Sequence, residues 1–231
     1  MPSPGRIRIQ PTRPLSGFTL LELMVTLAIL SILGAMTFVA LSSIKRTVSR
    51  RSMVTDLFSQ MAVARTRAAV TERIQIVVID AVKGTNGTYG YYYFEDAATP
   101  PTIFSGAQLG ALLTAMNSPP TVPAGYSLTL RDSRESSTNG YYTNADAWDG
   151  PLPFPWTALG PTKLDLSTKG CSFCSAGYGA VGFLPTGRVV FSDGNVLGGF
   201  IVVQGDSGGT AASIRSGVGI SPIGFVQQVE R

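Results

Sequence analysis

One carboxylate, Glu22, stands alone in an apolar run that covers residues 18–44. The run has 27 residues and no other charge. As a helix rising 1.5 Å per residue it would be about 40 Å long, enough to cross a ~30 Å hydrocarbon core. A charge within such a segment is costly and needs a partner, so it is a functional-site candidate. We therefore predict a transmembrane helix in which Glu22 carries a function.

The two cysteines, Cys171 and Cys174, form a C-x-x-C pair. Two thiols are too few for a four-cysteine zinc site or a usual iron–sulfur cluster. A redox role would require a strand-to-helix setting, whereas the residues around this pair are rich in Gly and Ser, as in a loop. In an oxidising periplasm, a small structural disulfide is the favoured interpretation.

Three other motifs resemble chemical sites but lack the context that their chemistry needs. Residues 205–209, GDSGG, match the surroundings of a trypsin-like serine, yet the chain has no histidine to act as the base. Residues 177–182 fit G-x-G-x-x-G, but strand and turn residues follow where a nucleotide site needs a helix. Asn144, Asp146 and Asp149 could hold Ca²⁺ loosely, without the EF-hand spacing. We expect no enzyme, no cofactor and no metal.

The positive charge of the chain is concentrated on both sides of the apolar run. The chain carries a net charge of +4, but from residue 52 onward it has 11 basic and 13 acidic residues. Basic residues beside a membrane segment favour anionic lipid headgroups, whereas nucleic-acid binding needs a basic patch on the domain itself. We therefore expect contact with membrane lipid and do not expect nucleic-acid binding.

Residues 13–30 read RPLSGFTLLELMVTLAIL. This stretch closely resembles the class III signal of type IV pilins and type II secretion pseudopilins. The resemblance implies cleavage after Gly17 by a prepilin peptidase, N-methylation of the new N-terminal Phe18, and an assembly role for Glu22. Residues 18 and 22 share a helix face, so the new amine could pair with Glu22 of its own chain or of a neighbouring subunit. At ~4 Å and an effective dielectric near 20, such a pair is worth roughly 4 kcal/mol before desolvation.

The resemblance and the residue patterns predict an α+β, pilin-like fold. One long helix over residues 18–73 has a transmembrane first half and packs its second half on an antiparallel β-sheet domain. The expected divisions are a cleaved basic leader (1–17), the membrane half (18–44), the periplasmic half of the helix (45–73) and a β-rich domain (74–231) with an insertion at about 96–170. The patterns indicate a short helix at 107–116 and strands at 74–79, 89–94, 127–131, 181–184, 188–191, 200–204 and 224–229. Residues 132–170 are expected to be mostly loop.

Two further stretches resemble the GspH/FimT branch of minor pilins. They are residues 61–73, MAVARTRAAVTER, and the turn at residues 183–189, FLPTGRV. This resemblance implies a minor pseudopilin of type II secretion, held in the inner membrane with its C-terminal domain in the periplasm. Its implied partners are the prepilin peptidase/methyltransferase, other pilins or pseudopilins, and the inner-membrane assembly platform. The alternative is a minor pilin of a type IV pilus, with a role in fibre priming or DNA uptake.

Overall fold

The chain divides into two compact units, Met1–Ile44 and Lys45–Arg231. The structure is a computed structural model, and it describes the following residues: 19–80, 89–116, 119–136, 139–141, 148–149, 156, 163–164, 171–175, 177–194, 196–205 and 216–230. Of the predicted site residues, Glu22, Cys171 and Cys174 lie within these ranges, whereas Gly17 and Phe18 lie outside them.

Helix α1 spans Leu20–Thr71 and contributes residues to both units. Its C-terminal limit falls two residues before the predicted end at Arg73. Glu72 follows the helix with a φ of 56°, the left-handed conformation that closes many helices and that Gly usually adopts. The helix therefore ends at a residue whose type gives no stop signal, which is why the sequence pattern placed the end too late.

The described residues contain a second helix and eleven strands. The second helix, α2, spans Gly106–Met116. The strands are β1 (Gln75–Asp80), β2 (Tyr89–Asp96), β3 (Leu128–Ser136), β4 (Asn139–Tyr141), β5 (Trp148–Asp149), β6 (Lys163–Leu164), β7 (Tyr178–Phe183), β8 (Val189–Phe191), β9 (Gly199–Gly205), β10 (Ser216–Ile220) and β11 (Val226–Glu230).

The strands form two main antiparallel sheets and one small pair. The first sheet has the order β3-β2-β1-β7-β8, and the second has the order β11-β10-β9-β4. Strands β5 and β6 pair with each other. Strand β1 is central in the first sheet, where Val77 lies opposite Tyr93 on one side and Val181 on the other. The predicted α+β class, an N-terminal apolar helix followed by an antiparallel sheet domain, is confirmed.

The main core lies between the second half of α1 and both sheets. Met53, Leu57 and Met61 of α1 are buried in one apolar cluster with side chains from the two sheets. Their spacing of four places them on one face of the helix, as expected for an amphipathic helix that packs on a domain. Burying each such side chain contributes about 1.5–3 kcal/mol before the entropic cost of ordering it.

A second core fills the opposite face of the first sheet. Helix α2 buries Leu109, Leu112 and Met116 there, in a cluster with side chains such as Ile76 and Val78 of β1. Residues 76–79 of β1 thus alternate between the two cores, which explains why these four are buried. A strand covered on both faces reads as a continuous apolar run, as residues 76–79 do.

All seven predicted strands occur, with two corrected limits. Strand β3 continues to Ser136, five residues beyond the predicted end. The last strand starts at Val226, because Gly224 lies in a turn with a φ of 78°. Four strands were not predicted: β10, and the short strands β4, β5 and β6, which lie within the range 132–170 that was expected to be mostly loop. The sequence of β10, SGVGI, has two glycines, which are depleted in strands.

Candidate functional site

Residues Leu20–Thr37 of α1 form a stretch of 18 residues that is long and apolar enough to cross a membrane by length and composition. All of its side chains are exposed. Its hydroxyl groups are satisfied within the helix, since Thr26 donates to the Leu23 carbonyl at 3.0 Å and Ser31 donates to the Leu27 carbonyl at 2.8 Å. Internal satisfaction of polar groups is what a segment in hydrocarbon requires.

Glu22 occupies the first turn of this helix. The Glu22 backbone N–H donates to the Thr19 hydroxyl at 3.3 Å, and the Leu23 N–H donates to the Thr19 carbonyl at 3.2 Å. Thr19 is therefore the N-cap residue and Glu22 is the third helical residue, where its negative charge interacts favourably with the helix dipole. Sequence reasoning missed Thr19, although Thr-x-x-Glu is the capping-box pattern.

This geometry gives Glu22 an exposed carboxylate on the first turn of an exposed apolar helix. A carboxylate there can accept hydrogen bonds or pair with a cation, either from the preceding backbone or from another chain. The predicted cation is the amine that cleavage before Phe18 would create. Cleavage after Gly17 and methylation of Phe18 remain predictions, because both residues lie outside the described part of the chain.

The second half of α1 has a further apolar surface opposite its buried face. A shallow groove of about 690 Å³ runs along its solvent side. Its apolar members include Phe58, Val63 and Val70, of which Val70 is 76% exposed. We call this surface the α1 groove; its other lining residues are Thr55, Ser59, Ala62, Thr66 and Arg67.

Polar contacts hold the same helix half on the edge strand β3. Arg134 forms an ion pair with Asp56, and its guanidinium also donates to the Ser52 hydroxyl at 3.3 Å. The Gln60 amide donates to the Asp132 carboxylate. These contacts fix which face of α1 turns toward the sheet, and so they keep the α1 groove exposed.

Cys171 and Cys174 are joined by a disulfide with a Cα–Cα distance of 5.1 Å. Both cysteines are buried, and their sulfur atoms lie over Gly179 of β7, where a Cβ atom would be 2.6 Å from the Cys174 Sγ and 2.8 Å from the Cys171 Sγ. Ser172 between them donates its N–H to the Phe200 carbonyl of β9 at 2.9 Å. The short loop thus links the first sheet to the second. The described residues contain no group of His, Cys, Asp and Glu side chains that could hold a metal ion.

One buried carboxylate, Glu95, is held by arginines at the edge of the first sheet. Its Oε1 atom lies 3.0 Å from Arg131 and 3.5 Å from Arg73. Burial alone would raise the pKa of Glu95, but the hydrogen bond and charge of Arg131, with help from Gln75 and Arg73, hold that pKa below its usual value. The Tyr93 hydroxyl donates to Gln75 at 2.6 Å and extends the network. Each of these side chains has a hydrogen-bond or ion-pair partner within the network, which favours a structural role for it over a catalytic one.

Burial raises the pKa of two tyrosines on the same sheet. For Tyr91, burial and the nearby charge of Asp132 raise the pKa to about 12. For Tyr92, burial and the hydrogen bond to Glu135 raise the pKa further. Both phenols therefore stay protonated at neutral pH, and neither is poised for acid–base chemistry.

The structure also places the motifs that resembled other sites. The G-x-G-x-x-G stretch begins at Gly177, whose φ is 89°, and continues along strand β7, so it does not open a helix. Gly205 ends β9, and the rest of the GDSGG motif lies outside the described residues. Asp149 lies in β5, whereas Asn144 and Asp146 lie outside the described ranges.

Comparison with known proteins matches one part of the chain. Residues 15–38 match the family described as the prokaryotic N-terminal methylation motif. No curated protein sequence and no solved structure matches the chain. The matched range contains Gly17, Phe18 and Glu22, and it ends one residue beyond the exposed apolar stretch.

The motif implies processing by a prepilin peptidase and assembly with other pilins, and it points to a structural protein. A single apolar N-terminal helix is consistent with single-pass membrane anchoring. A prepilin-type methylation motif, followed by an apolar helix and an antiparallel β-sheet domain, supports a type IV pilin-like protein with a class III signal.

Proposed function

We propose that the chain is a minor pseudopilin that is cleaved after Gly17 and assembled into a type II secretion pseudopilus. The observation that carries the proposal is the first half of α1, an exposed 18-residue apolar stretch whose first turn presents Glu22. Exposed apolar surface of this extent needs lipid before assembly and neighbouring helices after it. The resemblance of residues 61–73 and 183–189 to the GspH/FimT branch supports the minor-pseudopilin assignment.

Glu22 would set the axial register between neighbouring helices. Removal of residues 1–17 would leave the Phe18 amine next to Thr19, the N-cap of α1. Within one chain, this amine would lie on the same helix face as the Glu22 carboxylate, four residues away. Between chains, the Glu22 carboxylate would bind the amine of a neighbour away from water, where losing one partner leaves a buried charge and costs several kcal/mol. A pair of this kind favours one axial offset and disfavours the others.

The α1 groove would supply the second contact between subunits. It lies on the side of α1 that the two sheets leave exposed, and it is lined by small and apolar side chains. Small residues such as Ser59 and Ala62 allow another helix to approach closely. The C-terminal domain would then lie on the outside of the fibre, in the periplasm, with the first half of α1 in the inner membrane before assembly.

Processing gives the first test. Because the peptidase must accept a small residue before the cut, Gly17→Arg should leave the precursor of 231 residues, whereas the wild type should lose 17 residues and keep 214. Intact-mass measurement on membrane-extracted protein distinguishes the two forms. A conservative control is Leu15→Ile in the leader. Retention of residues 1–17 by the wild type would contradict the proposal.

Secretion gives the second test. Deletion of the gene for this chain, in the bacterium that produces it, should stop export of type II secretion substrates across the outer membrane and leave surface pili intact. Complementation with the wild type should restore export, and complementation with Gly17→Arg should not. Loss of pili or of DNA uptake, with export unchanged, would instead assign the chain to a type IV pilus.

A further inference from the structure

A cluster of exposed apolar side chains lies on loops of the unit Lys45–Arg231. Nine large apolar side chains are exposed among the residues of this unit that the structure describes, and five of them lie on three loops. We call these five the loop patch: Phe104, Val196, Leu197, Ile223 and Phe225. The exposed fractions of Val196 and Ile223 are 76% and 74%. Exposed apolar clusters on soluble domains mark interaction sites.

The three loops meet through contacts of their backbones and side chains. Phe104, which precedes α2, and Val196, which follows β8, line the same cavity of about 130 Å³. The Val189 N–H of that cavity's wall donates to the Pro222 carbonyl at 3.0 Å. Gly198 also lies against Pro222, since a Cβ atom there would be 3.4 Å from the proline ring. The loop patch is therefore one surface and not three separate exposures.

Two arginines border this surface. Arg188 is exposed and lines the cavity with Phe104 and Val196. The Arg65 side chain reaches the β10–β11 turn, where its Nε atom would lie 3.2 Å from a Cβ atom on Gly224. Neither guanidinium pairs with a carboxylate among the described residues, whereas Arg73, Arg131 and Arg134 do. The patch thus combines an apolar surface with two arginines that form no ion pair with a described carboxylate.

We infer that the loop patch docks a different protein, through a segment that presents a carboxylate beside an aliphatic side chain. The aliphatic group would enter the 130 Å³ cavity, which compares with the ~150 Å³ cavities that hold a benzene-sized group. The carboxylate would bind Arg188, which lines that cavity, because a guanidinium binds a carboxylate with two parallel hydrogen bonds. The docking does not depend on cleavage or fibre entry, so it goes beyond the proposed function.

Among the described residues of the unit Lys45–Arg231, most acidic side chains are paired or buried, which favours a different protein over a second copy. Asp56 pairs with Arg134, Asp132 accepts from Gln60, and Glu135 accepts from Tyr92. Glu95 and Asp96 are buried. A second copy would have to break such contacts to reach the loop patch, whereas another protein brings its own acidic segment.

Zero-length cross-linking tests the docking in membranes of the cell that produces the protein. Full-length chain carrying Arg188→Lys is treated with a carbodiimide, which joins the new amine to a carboxylate in direct contact. Mass spectrometry of the digest should find Lys at position 188 joined to an Asp or Glu of a different protein. Adding Val196→Asp and Ile223→Asp should lower the yield of this adduct by ~10-fold or more, as for loss of central interface contacts.

Matched controls separate docking from reagent failure and from misfolding. Arg134→Lys should give an amide to Asp56 of the same chain, which shows that the reagent reaches the domain. Val196 and Ile223 are exposed, so near-ultraviolet circular dichroism of the Asp variants should match the wild type. The inference is wrong if position 188 gives no adduct while the Arg134→Lys control works, if the adduct joins two copies of this chain, or if the Asp substitutions leave its yield unchanged.

Discussion

Gly219 leaves the space in which the Trp156 indole packs, and replacing it tests this part of the fold quantitatively. A Cβ atom at Gly219 would lie 2.4, 2.5 and 2.6 Å from the Cζ2, Cε2 and Cη2 atoms of Trp156. Carbon atoms in contact normally lie ~3.5–4.0 Å apart, so Gly219→Ala must push the indole by about 1 Å or more. Trp156 is fully buried, and its ring lies 6.0 Å from that of Phe200, so a shift of the indole disturbs the packing of the second sheet.

The magnitude follows from two opposing contributions. Overpacking of a core costs about 1–3 kcal/mol, and replacing glycine in a strand regains about 0.5–1 kcal/mol of conformational entropy. We therefore expect Gly219→Ala to lower the free energy of unfolding, by up to about 2.5 kcal/mol. Guanidinium denaturation of the full chain in detergent, followed by circular dichroism, measures this change.

A double-mutant cycle with Trp156→Ala shows whether the clash is the cause. Trp156→Ala alone should cost about 3–5 kcal/mol, as for other buried aromatic truncations. In that background Gly219→Ala should cost nothing or stabilise slightly, because the atoms it would meet are gone. Gly34→Ala is the control, since a Cβ atom there meets nothing within 4 Å. An equal cost of Gly219→Ala in both backgrounds would refute the packing of Trp156 on β10.

Three further predictions concern single features of the domain. Glu72→Gly should raise the free energy of unfolding by about 0.5–1 kcal/mol, because glycine adopts the left-handed φ of this helix end without strain. Alanine does not adopt this φ without strain, so Glu72→Ala should give no such gain in the same denaturation assay. Cys171 and Cys174 should resist alkylation in periplasmic material without reductant, and full labelling of both thiols would contradict the disulfide. Replacing both with Ser should lower the free energy of unfolding by at most ~2–3 kcal/mol, because the loop that the disulfide closes is short. The pKa of Glu95 is lower in the folded than in the unfolded chain, so its ionised form stabilises the domain above the unfolded pKa. This stabilisation is lost as the pH falls through the folded pKa, and Glu95→Gln should therefore flatten the acid side of a plot of unfolding free energy against pH. An unchanged plot would count against the Glu95 network.

The sequence was most informative where a pattern repeats or a residue stands out chemically. The apolar residues Leu57, Met61, Ala64 and Ala68 recur at spacings of three and four, which predicts one buried helix face, and the structure buries all four. Glu22 stood out because it is the only charge in its run, and the matched motif covers it. These signals are local, so a single sequence carries them.

Features that depend on contacts between distant residues escaped prediction. Strand β10 reads as a glycine-rich loop, yet Gly217 and Gly219 are the residues that allow Phe200 and Trp156 to approach it. The residues in and next to SGVGI contain no pattern that predicts contact with Phe200 or Trp156. The loop patch escaped prediction for the same reason: its members lie up to 121 positions apart, between Phe104 and Phe225, and only the fold brings their loops together.

The central claim is that Glu22 acts in assembly and not in membrane insertion. Insertion depends on the total apolarity of the segment, and removing a charge makes the segment more apolar. In the proposed function, assembly depends on the Glu22 carboxylate, which would meet a neighbour's amine away from water. The most direct test measures how much Glu22→Ala protein enters sheared fibres or cross-links to partner pilins, relative to its amount in the membrane.

Thr26→Ala is the matched control for this measurement. Thr26 lies one turn beyond Glu22 on the same helix face, and its hydroxyl is satisfied by the Leu23 carbonyl of its own helix. We expect Glu22→Ala protein to be membrane-bound, cleaved after Gly17 and absent from fibres, Glu22→Asp protein to enter them in part, and Thr26→Ala protein to enter them like the wild type. Entry of Glu22→Ala into fibres at the wild-type level would contradict the account.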